Sequence, residues 1–186
     1  GATYEIWQNS SPSAAGATIA NDGLARGLNG TSYSWVLNPG SNSNLITMNP
    51  GFESGDFTGW NIAGYETKLS VQSGGAHLGN CYSKFLQNLY TNIYPAVAGS
   101  SYTLDFWYQS YRTIGSLTVY ITWLDSSGAV ISEPTILTDS AAHSSWTEGA
   151  GSATAPANTV NFYVLFAWFG DLASYAYLDD VSVVGT

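Results

Sequence analysis

Strict alternation in a few runs narrows the folds open to this chain more than any other feature of its sequence. In Tyr102–Tyr111 one side of an extended chain carries Tyr102, Leu104, Phe106 and Tyr108. The other side carries Thr103, Asp105, Trp107, Gln109 and Tyr111. In Val160–Phe169 one side is Val160, Phe162, Val164, Phe166 and Trp168, and the other is Asn161, Tyr163, Leu165, Ala167 and Phe169. Ser116–Leu124 sets Leu117, Val119, Ile121 and Trp123 against Thr118, Tyr120 and Thr122. A period of two belongs to a strand, whose successive side chains point to opposite faces. Nowhere does the helical spacing i, i+3, i+4, i+7 persist. Further strand-like runs stand between Gly, Ser, Asn and Pro breaks at Leu45–Met48, Trp60–Ala63, Lys68–Gln72, Ser83–Leu89, Asn92–Val97, Ala129–Thr135, Ser145–Ala153 and Ser174–Val184. The chain reads as all-β, an antiparallel β-sandwich or jelly roll.

Residues 1–44 are different. They hold a possible short strand at Tyr4–Gln8, a Ser/Ala/Gly/Asn-rich stretch without lasting period, and an Asn38-Pro-Gly turn. We read them as an N-terminal extension or the end of a preceding module, with residues 45–186 as the β-sandwich. Tyr4, Trp7, Tyr33 and Trp35 favour an extension that packs.

Charge excludes several partners. Only 9% of residues are charged, the net charge is −9, and the four basic residues, Arg26, Lys68, Lys84 and Arg112, are scattered. Nucleic acid and anionic membrane both need clustered cations, so neither is an expected partner, and an anionic polysaccharide is disfavoured likewise. Aromatic residues reach 15%, which excludes disorder. With one cysteine, Cys81, no intrachain disulfide can form. The Ser/Thr/Asn/Gly-rich, weakly charged surface suits a secreted, extracellular protein that meets a neutral glycan.

Several ordered motifs resemble a family. Asn49-Pro-Gly-Phe-Glu-Ser-Gly with Phe57-Thr-Gly-Trp60, then Gln72–Asn80, Val97–Trp107, Trp123-Leu-Asp-Ser-Ser-Gly128, Trp146-Thr with Pro156, and Tyr177-Leu-Asp-Asp-Val-Ser-Val183 occur at suitable spacing over residues 45–186. Together they resemble the family 4/9/22-type carbohydrate-binding modules. The resemblance implies a galactose-binding-domain-like jelly roll that accompanies a glycoside hydrolase, as a monomer within a multidomain protein. It also implies one structural Ca2+ site. The Gly51 carbonyl, the Glu53 side chain, a carbonyl of the Asn80–Cys81 turn and the Asp179 side chain would supply its ligands. Leu78 stands where some relatives carry a further acidic ligand. First and last strands of a jelly roll are neighbours, so Glu53 and Asp179 can meet; calcium takes six to eight oxygens.

Sugar rings stack on aromatic faces while their hydroxyls need paired donors and acceptors. The outward set Trp107, Gln109, Tyr111, Tyr120, Asn161 and Tyr163, with Asp105 and Arg112 beside it, has that mixture and is the expected glycan shelf. A loop set of Tyr90, Tyr94, Trp168, Phe169 and Tyr175 is the alternative. Packing of this face under residues 1–44 or a partner would give a structural or adhesive β-sandwich of a cell-surface protein instead. Catalysis is not expected. A glycosidase needs two carboxyls flanking the bond, and only Asp105 has a suitable setting. His77 and His143 are read as loop residues with no carboxylate or cysteine at triad- or metal-like spacing. The expected role is noncatalytic binding of a β-glucan, xylan, mannan or similar neutral glycan.

Overall fold

A computed structural model describes residues 18–19, 25–26, 43–64, 69–110, 115–171 and 173–186. The chain divides into two compact units, Gly1–Asn38 and Pro39–Thr186. In the first, β1 (Thr18–Ile19) pairs antiparallel with β2 (Ala25–Arg26). Two-residue strands are too short to show a period, which is why the sequence gives no sign of them. The expected strand at Tyr4–Gln8 lies outside the described residues.

The second unit carries β3 (Trp60–Ala63), β4 (Ser70–Ser73), β5 (Cys81–Phe85), β6 (Gln87–Thr91), β7 (Tyr94–Pro95), β8 (Ser101–Ser110) and β9 (Gly115–Leu124). After these come β10 (Val130–Ser132), β11 (Thr135–Asp139), β12 (Thr147–Thr154), β13 (Asn161–Gly170) and β14 (Ala176–Gly185). They form a seven-stranded sheet ordered β10-β9-β13-β6-β3, with β11 also on β9 and β7 also on β13, and a five-stranded sheet ordered β12-β8-β14-β5-β4. Every ladder in the two sheets is antiparallel. This is the expected jelly-roll sandwich.

Alternation places the core. Tyr102, Leu104, Phe106 and Tyr108 of β8 are buried against Leu117, Val119, Ile121 and Trp123 of β9 and Phe162, Val164, Phe166 and Trp168 of β13. Each large apolar side chain so buried contributes roughly 1.5–3 kcal/mol. Tyr102, Trp123 and Phe162 meet with ring centroids 5.2–6.0 Å apart. Val160, expected inward, precedes β13 and is 39% exposed.

Three boundaries differ from expectation, each for a backbone reason. Leu45–Met48 is not a strand: it is tied to β14 by Leu45 N–H donating to Val183 O (2.7 Å) and by the Asn44 amide bridging Val181 O and Val183 N. Ala129–Thr135 breaks into β10 and β11 at Glu133-Pro134, where proline has no N–H to donate. Ser83–Leu89 breaks at Leu86, between β5 and β6, and Gln87 opens β6 with φ of 76° as the chain passes from the five-stranded sheet into the seven-stranded one.

Candidate functional site

The expected shelf is not one surface. Trp107, Gln109 and Asp105 stand on β8 in the five-stranded sheet, whereas Tyr120 on β9 and Asn161 and Tyr163 on β13 stand in the seven-stranded sheet. Their outward side chains therefore face opposite sides of the sandwich. Alternation separates inward from outward but says nothing about which sheet a strand joins, and the jelly-roll path sends consecutive long strands to opposite sheets. Tyr111 and Arg112 lie outside the described residues.

On the five-stranded side the rings are occupied by the protein itself. His77 stacks on Trp107 at 3.7 Å with an interplanar angle of 10°. Trp146 meets Tyr82 edge-on at 5.5 Å, and Tyr82 meets Tyr177 edge-on at 5.6 Å. The Trp146 indole N–H donates to Gly75 O (2.9 Å). With its amide turned to satisfy both groups, Gln109 accepts from Trp146 N and Nε1 at 3.2 Å each. Lys84 Nζ lies 4.0 Å from the centre of the Tyr175 ring. Of the loop alternative, Tyr94 and Trp168 are buried and Phe169 is exposed at the end of β13.

The seven-stranded side is the better candidate. Register aligns Asn61, Tyr90, Leu165, Tyr120 and Thr135 in one row across β3, β6, β13, β9 and β11. Tyr163, two residues before Leu165, brings its ring to 5.7 Å from that of Tyr90, tilted by 51°. Asn88, Tyr90, Tyr163 and Leu165 line a shallow depression. Around it lie neutral polar groups and one carboxylate, Glu133, which accepts a hydrogen bond from Thr122 Oγ1 (2.6 Å). Asn61 is engaged with Thr91 O and Asn92 Oδ1. Among the described residues no hydrogen bond engages the side chains of Asn88, Asn161, Tyr90, Tyr120 or Tyr163. Asn88 was legible as the outward neighbour of inward Leu89, by the same alternation that marks β8 and β13.

The expected metal residues converge, though not as drawn from sequence. Glu53 Oε1 accepts from Asn80 N and Cys81 N at 2.8 Å each, so Cys81 meets Glu53 through its N–H. Asp179 is fully buried; its Oδ2 accepts from His77 N (2.8 Å) and its Oδ1 from Asp180 N (2.9 Å). Burial first, and then the charge of Asp180, push the Asp179 carboxyl up to about 6, against hydrogen bonds from backbone N–H groups that pull it down. A Cβ on Gly51 would lie 3.2 Å from Asp180 Oδ1 and 3.4 Å from Asp179 Oδ1, so the Gly51 main chain sits against both carboxylates. Asn49, Phe52 and Asp180 here adopt φ of 51°, 58° and 48°. Among the described residues no three or more His, Cys, Asp or Glu side chains form a metal cage by themselves, so a cation here would lean on backbone carbonyls, as calcium does.

Both histidines have carboxylate partners, contrary to the sequence reading. His77 Nδ1 lies 2.7 Å from Asp180 Oδ2, and His143 Nε2 pairs with Asp139 Oδ2. Asp180 is brought from far along the chain by the bulge in β14, and Asp139 precedes His143 on the turn after β11. Tyr108 OH also donates to Asp139, while His143 Nδ1 lies 3.1 Å from Thr147 Oγ1. The group joins β8, β11 and β12, and so ties an edge of one sheet to an edge of the other.

No family model matches the sequence, and no curated protein matches it. Solved structures do. A family 61 carbohydrate-binding module in complex with β-1,4-galactotriose is 18% identical, with a TM-score of 0.59 over 78% of this chain and 100% of that one. The N-terminal family 22 module and family 10 hydrolase module of a Clostridium thermocellum endo-1,4-β-D-xylanase, complexed with xylohexaose, match with 18% identity and a TM-score of 0.62 over 77% of this chain. The match covers 28% of that two-module chain. A family 22 xylan-binding domain from a Paenibacillus barcinonensis xylanase is 16% identical, with a TM-score of 0.58 over 74% of this chain and 98% of that one. By class, then, this is an antiparallel jelly-roll sandwich. More particularly, its fold is that of the family 4/9/22-type carbohydrate-binding modules.

Proposed function

We propose that this chain is a noncatalytic module that binds a neutral polysaccharide or oligosaccharide across the outer face of its seven-stranded sheet, and that it serves an attached secreted glycan-active enzyme. The carrying observation is the Tyr90–Tyr163 ring pair set beside Asn88 and Leu165, with neighbouring amides and hydroxyls that make no hydrogen bond among the described residues. Rings offer faces to sugar C–H groups, and unengaged amides offer donors and acceptors to hydroxyls. The ligands named for two of the similar modules, galactotriose and xylohexaose, are neutral β-1,4-linked sugars, which is the chemistry this face suits. Xylan, β-glucan, mannan and galactan are the glycans to try, by calorimetric titration and affinity electrophoresis. Retarded migration in one of them supports the reading; no binding to any of them overturns it.

Calcium is the structural cofactor in this reading. Glu53 and Asp179, with Asp180, would supply carboxylate oxygens, and Gly51 and the Asn80–Cys81 turn would supply carbonyls. The buried Asp179 carboxyl beside Asp180 supports it, since a cation there would offset two facing negative charges. Bound calcium would pin the first loop of the sandwich to its last strand and take no part in chemistry. Millimolar calcium is expected to raise the melting midpoint, EDTA to lower it, and Asp179→Asn to abolish the difference. A midpoint indifferent to chelator would remove calcium from the account.

A further inference from the structure

A carboxylate stands at the edge of the proposed glycan face, and the fold holds it there. β10 and β11 both pair with β9 and are joined through Glu133-Pro134. Pro134 O accepts from Ile121 N at 3.3 Å, which seats the joint on β9, and a proline keeps the residue before it extended. Thr135 is the register partner of outward Tyr120, so Glu133, two residues earlier, falls on the same outward side. There Glu133 Oε2 accepts from Thr122 Oγ1 at 2.6 Å. Thr122 is fully buried and is the register partner of Tyr163. The carboxylate is thus tied to the residue beside Tyr163, on the side away from Tyr90, since β13 lies between β9 and β6. Asn161, two residues before Tyr163, shares that face with an amide that makes no hydrogen bond among the described residues. Glu133 itself is exposed, and among the described residues no cation pairs with it and no second hydrogen bond reaches its carboxylate. An exposed glutamate ordinarily keeps its rotamer freedom in water, and fixing one opposes that entropy. The buried Thr122 hydroxyl leaves one carboxylate oxygen committed and the other open.

We infer that Glu133 is a sugar-contacting residue that sets specificity: its carboxylate, held by Thr122, accepts hydrogen bonds from hydroxyls of the sugar unit seated beside Tyr163. The inference rests on the glycan-binding reading of the seven-stranded sheet and deepens it by assigning selectivity to one positioned carboxylate. An ionised carboxylate only accepts, whereas an amide or a phenol also donates. It takes two hydroxyls at once only where they lie close together on one side, so it reads hydroxyl arrangement where a ring face reads only shape. Its charge makes each such bond stronger than a neutral one. An anionic sugar would be repelled by the same group, in keeping with a neutral ligand.

The test compares the unmodified protein with Glu133→Gln and Tyr163→Ala, titrating neutral β-1,4-linked oligosaccharides of xylose, glucose, mannose and galactose into each by calorimetry. Melting midpoints are recorded alongside. Glu133→Gln keeps the size of the side chain and removes its charge. It is expected to bind the preferred sugar roughly tenfold more weakly. Its preference among the sugars should narrow while its melting midpoint holds, because the position is exposed. Binding by Glu133→Gln within about twofold of the unmodified protein, with Tyr163→Ala deficient, would overturn the role of Glu133 and leave the platform standing. A lowered midpoint with a fall in affinity equal for all the sugars would make Glu133 structural, which also overturns it. If the unmodified protein binds none of these sugars, the face itself is misread and the inference falls with it.

Discussion

Tyr163 and Trp107 look alike in sequence, each an outward aromatic residue on a long alternating strand, but their surroundings give them opposite roles. Tyr163 leans on Tyr90 over an open depression, whereas Trp107 lies flat beneath His77. Replacing Tyr163 with Ala should weaken glycan binding by about 2 kcal/mol, roughly 30-fold, as loss of a central aromatic contact does. Replacing Trp107 with Ala should leave binding within about twofold and instead lower stability by about 1–3 kcal/mol through lost packing. Titration and urea unfolding of both variants separate the two; a Trp107 variant that folds normally and cannot bind would reverse the assignment. Asp139 poses a different residue-scale question. Burial works to raise its pKa, but hydrogen bonds from Tyr108 and Ala141 N–H, and the His143 contact, outweigh it and hold the carboxyl below the usual value. Burial, with the hydrogen bond and charge of Asp139, pushes Tyr108 up. A depressed carboxyl contributes stability above its unfolded pKa of about 4 and loses it as pH falls through the lower folded value. Asp139→Asn should therefore melt below the unmodified protein at neutral pH, with the gap closing as pH falls below the ordinary carboxylate range. A gap that is the same at neutral and at acid pH would show that charge is not what Asp139 contributes.

Among the elements, β12 shows how a weak strand-former is made necessary. Its Thr-Glu-Gly-Ala-Gly-Ser run has little intrinsic strand preference, yet it pairs with β8 from Thr147 to Thr154. The reason is space. A Cβ on Gly149 would fall 2.3 Å from Phe106 Cζ, and one on Gly151 would fall 2.7 Å from Ile136 Cγ2. The glycines let a core phenylalanine and a residue of the facing sheet's β11 close over the edge of the sandwich. Gly149→Ala should cost about 1–3 kcal/mol by overpacking against the fixed ring, read as a lower urea midpoint with an unchanged slope. No change in midpoint would mean that Phe106 has room to move. The joint between β5 and β6 shows the converse. From sequence it is one continuous run, Ser83–Leu89, because both halves alternate; the passage between sheets at Leu86 and the left-handed Gln87 leaves the alternation of inward residues nearly undisturbed.

For the whole molecule, charge and topology act at different levels. A net charge of −9 with four basic residues repels anionic polymers whatever the fold. The proposed face is framed by neutral groups, with Glu133 engaged by Thr122, so affinity for a neutral glycan should change less than about twofold between 50 and 500 mM salt. A steep salt dependence would point to a charged ligand or a different surface. Much of this was determined by the sequence alone. Alternation in β8, β9 and β13 dictated strands, the inward sets that became the core, and an all-β sandwich, because burying one face of a pleated strand depends only on the order of residues along it. The ordered motifs further pointed to the 4/9/22-type jelly roll. What the tertiary structure alone decided was which outward faces are shared. Trp107 and Tyr163 ended on opposite sides, His77 joined Asp179 and Asp180, and Asn88 and Tyr90 joined Tyr163. These pairings depend on which sheet each strand enters and in what register, and long-range hydrogen-bonded partnership leaves no trace in the local pattern of a single chain.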